Sequence, residues 1–218
     1  MKKRFGIALV LLVLFSSYKP QKLFLINKFN IKEIKIENNI ILKDLEIKKK
    51  IDFLYEKNLI FLKNENIKNA LRELTFIESF EIKKIYPDKI KIKIFEKKPI
   101  AILQNKKKKF YINKKVDLIN YTHLENYENL PIIFGNKESF KVLYDNLKKI
   151  NFPVNEIKIY YLYDSKRWDL ETHENKVIKL PYRNYNESLE NFMNLRKKKN
   201  YGKYKVFDYR VKNQLILK

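Results

Sequence analysis

The sequence predicts an α+β protein in three parts: a single apolar N-terminal helix, a small domain in the order β-α-α-β-β, and a β-rich domain whose mixed sheet carries two packed helices. Three observations support this. An uncharged apolar stretch lies near the start of the chain. The spacing between apolar residues then changes from two residues to three or four, and back to two. The remainder is rich in aromatic, alternating segments that two helical stripes interrupt.

The N-terminal segment has the pattern of a membrane anchor. Three cations in Met1–Arg4 precede fourteen uncharged residues, Phe5–Tyr18. As a helix this stretch is about 21 Å long, short of the ~30 Å hydrocarbon core, although Arg4 and Lys19 can lengthen the span by snorkelling. A cleaved signal peptide is the alternative, but no A-x-A-like site follows. We therefore predict a cytoplasmic tail (1–4), a single uncleaved transmembrane anchor (5–20) and a linker (21–29), with the bulk of the chain periplasmic.

The first domain is predicted to span residues 30–98. Ile34 and Ile36, separated by one lysine, predict a strand that Asn38 and Asn39 end in a turn. Apolar residues at helical spacing then predict two helices: Leu42, Leu45, Ile47, Ile51 and Leu54 in the first, and Ile67, Ala70, Leu71 and Leu74 in the second. Asn64 is the expected N-cap of the second helix.

A hairpin completes this domain. Residues 76–84 predict a second strand, and the Tyr86-Pro87-Asp88 turn leads into a third. In that third strand Ile90, Ile92 and Ile94 alternate with Lys89, Lys91 and Lys93. Pro99 should end it near Lys98, because proline cannot donate to a ladder. The lysines form either the solvated face of the sheet or a docking surface, and we favour the solvated face.

The second domain is predicted to span residues 99–218. Its strand-like segments include AILQN, FYINKKVDLI, LPIIFG and KYKVFDYRVKNQLILK. One amphipathic helix is indicated by Phe140, Leu143, Tyr144, Leu147 and Ile150, and another by Leu189, Phe192 and Met193. Trp168 is expected in the core rather than at a contact, because tryptophan is usually well buried.

Composition excludes several classes of function. The chain has no cysteine, so it has no disulfide and no thiolate metal site, and its three glycines exclude a phosphate-binding glycine loop. The net charge of +23 suggests nucleic acid, but only six of the 48 basic residues are arginine, the usual reader of phosphate and guanine. His123 and His173 lack metal-ligand spacing, and no serine lies in a G-x-S-x-G elbow. We predict no enzyme activity, no cofactor and no nucleic-acid partner.

The first domain resembles the POTRA domain. Three stretches carry the resemblance: IKEIKIENN, IKNALREL and IESFEIKKIYPDKIKIKIFEKKPIA. In the second domain LPIIFG, RWDLET, NKVIKLP and VFDYR follow in the order found in the FtsQ/DivIB bacterial cell-division proteins. The whole chain is therefore identified as a member of that family. It departs from the family pattern at Asn175-Lys176, where glycine is usual, and at Tyr209, where leucine is usual.

The resemblance implies a scaffold that binds other divisome proteins at the septum of the inner membrane and helps control septal peptidoglycan synthesis. Small bitopic coiled-coil division proteins are the implied partners, through strand addition at the C-terminal edge. We expect a final strand at Val211–Leu217. The predicted partner-binding residues are Arg210, Val211, Lys212, Asn213, Gln214, Leu215 and Ile216. Arg210 and Lys212 would suit an acidic partner segment, whereas a plain final strand is the alternative.

The sequence is also compatible with three rival functions. A POTRA-bearing outer-membrane assembly or secretion component is one, although such proteins carry several POTRA units. A basic nucleic-acid-binding protein is favoured only by net charge and would show salt-dependent binding. An anchored peptidoglycan enzyme would show hydrolysis.

Overall fold

A computed structural model describes residues 2–17 and 27–218. The first helix, α1, is Lys2–Ser17. Within the described ranges, no helix has both the length and the apolarity required to cross a membrane. The last three residues of the predicted anchor and most of the predicted linker, 18–26, lie outside the described residues. The chain divides into two compact units, with the boundary between Glu96 and Lys97.

The first unit contains the predicted β-α-α-β-β order. Its elements are β1 (Glu33–Glu37), α2 (Asp44–Lys50), a 3-10 turn (Asp52–Leu54), α3 (Asn64–Arg72), β2 (Ile77–Ile85) and β3 (Lys89–Glu96). The sheet order is β1-β3-β2, with β1 parallel and β2 antiparallel to β3. The long hairpin therefore places β3, the strand with the clearest alternation, in the centre.

The core of this unit lies on one face of that sheet. Ile90, Ile92 and Ile94 of β3 are buried, as alternation predicts. From the helices, Ile47, Ile67 and Leu71 are fully buried. The opposite face of the sheet carries charged side chains, so a two-layer unit results.

Two local predictions about these helices were wrong. Leu45 is 65% exposed, because α2 begins at Asp44 and turns that position to solvent. The N-cap of α3 is Lys63, and Asn64 is the first helical residue. Lys63 makes no side-chain cap bond, so burial of Ile67 and Leu71, and not capping, fixes this helix.

The lysines of β3 lie on the solvated face, as favoured. The Lys89 Nζ contacts Glu33 Oε2 at 2.6 Å, and the Lys91 Nζ contacts Glu37 Oε2 at 2.7 Å. These bonds lower the pKa of both glutamates. Cross-strand pairs of opposite charge support the parallel register of β1 on β3.

The end of β3 is fixed by a carboxylate. Glu96 accepts backbone N–H bonds from Ile40 (2.9 Å), Ile41 (2.8 Å) and Leu42 (2.8 Å), which are the residues leading into α2. The strand ends at this residue, two residues before the predicted end near Lys98, and the next strand begins at Pro99. Glu96 therefore ties the third strand to the turn that follows the first.

The second unit contains nine strands and two α-helices among its described residues. The strands are β4 (Pro99–Asn105), β5 (Lys108–Asn113), β6 (Leu118–Asn120), β7 (Ile132–Phe134), β8 (Ile157–Leu162), β9 (Trp168–Thr172), β10 (Val177–Lys179), β11 (Val206–Asp208) and β12 (Ile216–Leu217). The helices are α4 (Lys137–Lys149) and α5 (Tyr185–Arg196). The mixed sheet has the order β12-β11-β10-β9-β8-β7-β4-β5-β6.

Both predicted helices pack on this sheet. Phe140, Leu143 and Leu147 of α4 and Leu189 and Phe192 of α5 are buried in one cluster with sheet residues such as Tyr160 and Phe207. Asn136 caps α4 by accepting from the Ser139 N–H at 2.8 Å. The stripes read from the sequence are therefore the core-facing sides of the helices.

Trp168 is buried, as predicted, and its packing helps to explain why a glycine stands at position 135. A Cβ added at Gly135 would lie 2.8 Å from the Leu162 Cβ and 3.3 Å from the Trp168 ring. Gly135 ends LPIIFG and Trp168 opens β9, so two of the quoted motifs meet here. The glycine is needed for close packing.

Both departures from the family pattern have local explanations. Asn175 adopts a positive φ of 57°, a conformation that asparagine tolerates in place of glycine. Lys176 is buried, and its Nζ donates to the Tyr204 carbonyl at 2.8 Å while lying 4.3 Å from the Tyr201 ring centroid. Tyr209 is buried as leucine would be, and its hydroxyl donates to Asn191 Oδ1 at 3.0 Å.

Candidate partner-binding site at the C-terminal edge

The last strand lies at an edge of the nine-stranded sheet. β12 pairs antiparallel with β11, placing Leu217 opposite Phe207 and Ile216 opposite Asp208. Val206 and Lys218 exchange two backbone bonds, at 3.0 and 3.1 Å. Because bonded and non-bonded pairs alternate, the N–H and C=O of Leu217 point away from β11. This edge therefore presents backbone groups that an added strand could pair with.

The predicted strand at Val211–Leu217 was wrong, because the observed strand is much shorter. Only Ile216 and Leu217 are in strand conformation, and the preceding residues form a turn. The Gln214 N–H bonds to the Val211 carbonyl at 3.1 Å, and Asn213 has a φ of 61°. Asparagine favours this left-handed conformation, which a continuous strand cannot include.

The turn instead lines a groove of about 790 Å³. Six of the seven predicted site residues, Arg210 to Leu215, line it, and Ile216 does not. Its other wall is formed by residues 181–184 and by one side of α5, which contributes Glu187, Ser188, Asn191 and Leu195. Ile216 lies on the opposite face of the sheet from Leu217, which packs against the core. The predicted residues therefore divide between a groove and an edge.

Arg210 is already engaged within the chain. Its Nε donates to Asp208 Oδ1 at 2.8 Å, and its Nη2 donates to Oδ2 at 2.6 Å. These bonds lower the pKa of Asp208 and raise that of Arg210. The pair uses two of five guanidinium N–H donors. Lys212, by contrast, is exposed and has no ion pair among the described residues.

The sheet register places further charges beside Asp208 that the sequence did not reveal. Lys179 of β10 lies opposite both Asp169 of β9 and Asp208 of β11. Burial raises the pKa of Asp169, and the Arg167 guanidinium, 3.7 Å from Oδ1, opposes that shift. The guanidinium of Arg167 also stacks on the Tyr163 ring, 4.1 Å from its centroid. The residues lie far apart in sequence, so their grouping depends on the pairing of three strands.

The two histidines lie on the surface. The His123 Nε2 is 3.2 Å from Glu128 Oε1, and both side chains are exposed. His173 is exposed in the turn after β9. In the part of the chain that the structure describes, no group of three or more His, Cys, Asp or Glu residues could hold a metal ion.

Family comparisons match both units. The family model described as POTRA domain, FtsQ-type, matches residues 29–97. The model described as cell division protein FtsQ/DivIB, C-terminal, matches residues 101–210, about half of the chain. The chain belongs to the FtsQ/DivIB family of cell division proteins. The resemblance read from the sequence motifs is thereby confirmed.

Individual FtsQ proteins are similar at low identity. FtsQ of Agrobacterium fabrum is 22% identical over 164 residues, covering 74% of this chain and 52% of that protein. FtsQ of Rickettsia typhi is 25% identical, covering 87% of this chain and 72% of that protein. FtsQ of Rickettsia conorii is 28% identical, covering 72% of this chain and 60% of that protein. The chain thus spans about half the length of the Agrobacterium FtsQ that it matches.

A solved structure also overlaps part of the chain. The major extracytoplasmic domain of DivIB from Geobacillus stearothermophilus covers 44% of this chain and 87% of its own, at 10% identity and a TM-score of 0.33. At that level of overlap, the FtsQ/DivIB assignment depends on the sequence matches.

Proposed function

We propose that this FtsQ/DivIB protein is a non-enzymatic scaffold of the divisome, held in the inner membrane by the N-terminal segment, with its two domains in the periplasm at the septum. Its partners are other division proteins, in particular the small bitopic coiled-coil proteins. Through them it helps control septal peptidoglycan synthesis. The observation that carries the proposal is the outer side of β12, with which no strand among residues 2–17 and 27–218 pairs.

Strand addition gives the binding mechanism. An extended partner segment pairs with the outward N–H and C=O of Leu217, and main-chain bonds supply affinity. β12 has only two residues, so neighbouring side chains must contribute to affinity and register. The exposed Ile216 offers an apolar contact on the face opposite the helices, beside Asp208, its neighbour across the β11–β12 pair.

Charge then favours an acidic partner segment. Lys212 and Lys218 are exposed on either side of β12, and Arg210 keeps donors beyond those that bind Asp208. Because these groups lie at the surface, their contribution should weaken with added salt. The groove lined by residues 210–215 can hold side chains of the same segment.

A single proline tests strand addition. Leu217→Pro removes the outward N–H of Leu217 without deleting β12. Lys205→Pro, in an exposed position before β11, is not a suitable control, because the Lys205 N–H bonds to the Lys218 carbonyl. Val142→Ala, exposed on α4, is the matched control. We expect Leu217→Pro and truncation before Val211 to weaken binding to the periplasmic region of the coiled-coil partner at least about tenfold, which corresponds to 1.4 kcal/mol.

Folding is checked separately for each variant. Far-UV circular dichroism and the thermal unfolding midpoint should show that Leu217→Pro keeps the core of the second unit. Affinity that is unchanged in both the proline variant and the truncation would rule out strand addition at this edge. Peptidoglycan hydrolysis by the wild-type chain would contradict the scaffold role itself.

A further inference from the structure

One end of the POTRA domain gathers segments that are distant in the sequence. The Leu59 N–H bonds to the Phe29 carbonyl at 2.8 Å, and the Lys32 N–H bonds to the Asp88 carbonyl at 2.9 Å. The Lys84 Nζ donates to the Leu62 carbonyl at 2.9 Å. The entering chain, the loop before α3 and the β2–β3 turn therefore meet at the same end of the sheet.

Large apolar side chains are exposed at this end. Phe61 is 72% exposed and Tyr86 is 58% exposed, and Ile60 and Ile85 are also exposed. The Phe29 and Tyr86 rings pack edge to face, with centroids 6.1 Å apart. We call Phe29, Ile60, Phe61, Ile85 and Tyr86 the apolar end. Single exposed apolar residues are ordinary, but several on neighbouring segments indicate a binding surface.

Cations surround the apolar end. Lys28, Lys32, Lys57 and Lys63 are exposed and form no ion pair among the described residues. The acidic groups nearby are fewer. Glu33 is paired with Lys89, which leaves Glu56 and Asp88. Protein surfaces that bind the interface of an anionic bilayer typically combine aromatic and aliphatic side chains with surrounding lysines.

The position of the apolar end in the sequence is also consistent with a contact with the membrane. Phe29 follows the apolar N-terminal segment closely, since only residues 18–26 separate α1 from the described part of the domain. Ten peptide steps from Ser17 to Asn27 reach at most about 35 Å, even when fully extended. The apolar end is therefore the part of the domain tethered most directly to α1, whereas Ile40 lies beyond the other end of β1, where its N–H bonds to Glu96.

We propose that the apolar end of the POTRA domain lies in the headgroup region of the anionic membrane to which the chain is attached. The inference rests on the proposed membrane attachment and adds a second contact with lipid. Phe61 and Tyr86 enter the interface, and the surrounding lysines bind lipid phosphates. Two contacts, one through α1 and one through this end, would fix the orientation of the POTRA domain on the membrane.

The absence of cysteine makes a direct test possible. The full chain is reconstituted into vesicles of phosphatidylethanolamine and phosphatidylglycerol with one introduced cysteine, labelled with a fluorophore, and quenched by a lipid that carries a nitroxide high on its acyl chain. Phe61→Cys reports on the apolar end. Ile40→Cys is the matched control, because Ile40 is apolar, belongs to the same domain and is 76% exposed. Val10→Cys reports on α1.

We expect quenching at position 61 to be at least about twice that at position 40, and to fall in vesicles of phosphatidylcholine alone. A label at Tyr86→Cys should lose its quenching when Phe61→Glu is added. Equal quenching at positions 61 and 40 overturns the inference, even if position 10 is strongly quenched and membrane attachment stands. Quenching at position 61 without quenching at position 10 supports the inference and removes the proposed anchor.

Discussion

The Arg210 guanidinium binds the Asp208 carboxylate through two nitrogens, with Nε–Oδ1 and Nη2–Oδ2 distances of 2.8 and 2.6 Å. The Arg210 backbone N–H adds a third bond to the same carboxylate, at 3.1 Å. Asp208 is only 5% exposed. The arginine that suggested a partner contact is therefore also part of the fold at the edge of the sheet.

Arg210→Ala should lower stability as well as partner affinity. It leaves a nearly buried carboxylate without its guanidinium, and we expect the free energy of unfolding to fall by about 1 kcal/mol, because Arg210 itself is partly exposed. Lys212→Ala is the control and should change it by less than about 0.5 kcal/mol. Urea denaturation measures both. Equal stability of the two variants would mean that the Asp208 pair contributes nothing to the fold.

Neutralising Asp208 and neutralising Asp169, the two carboxylates near Lys179, should change the stability of the protein in opposite directions. The bond from Arg210 lowers the pKa of Asp208, so its stabilising contribution is present above the unfolded pKa of about 4 and is lost as pH falls through the lower folded value. Burial raises the pKa of Asp169, so its charge costs stability above the folded pKa, and the cost disappears on protonation.

At neutral pH we therefore expect Asp208→Asn to lower the free energy of unfolding and Asp169→Asn to raise it. The Asp208 difference should shrink as pH falls below about 4 towards the lower folded pKa of that group, whereas the Asp169 difference should already shrink as pH falls through its raised folded pKa towards about 4. Denaturation midpoints measured across this range test the signs. A destabilising Asp169→Asn at neutral pH would show that the Arg167 contact outweighs the burial cost.

Glu96 should contribute to stability through its three backbone bonds. Glu96→Gln keeps one acceptor oxygen in place of two, so at least one of the N–H groups of residues 40–42 loses its partner. We expect a loss of about 1–2 kcal/mol in the free energy of unfolding. Glu81→Gln, at an exposed position of β2, should be neutral and serves as the control. Backbone amide exchange at residues 40–42 should accelerate only in the Glu96 variant.

Gly135→Ala should be destabilising because the new Cβ would meet the Leu162 Cβ at 2.8 Å. We expect about 1–3 kcal/mol, the usual cost of overpacking. Gly202→Ala is matched, since no atom lies within 4 Å of its added Cβ, and it should leave the thermal midpoint the same or higher. A neutral Gly135→Ala would mean that β8 and β9 shift easily and that close approach is not why glycine stands there.

The regular parts of the fold could be predicted from residue patterns. Ile90, Ile92 and Ile94 alternate because each second side chain of a strand faces the core, and Phe140, Leu143 and Leu147 repeat at helical spacing for the same reason. Element ends were less predictable. Asn64 looked like a cap, and Val211–Leu217 looked like one strand, because propensity does not reveal that Asn213 takes a positive φ.

The sequence by itself determined the element order of the POTRA domain, the core-facing sides of the helices and the family, because these depend on residues close together in the chain. Only the tertiary structure decided which strand became the edge and which charges gathered beside it. Asp169, Lys179 and Asp208 are neighbours because three separate strands pair in register. That pairing is fixed by burial of distant side chains in a shared core, which no local pattern encodes.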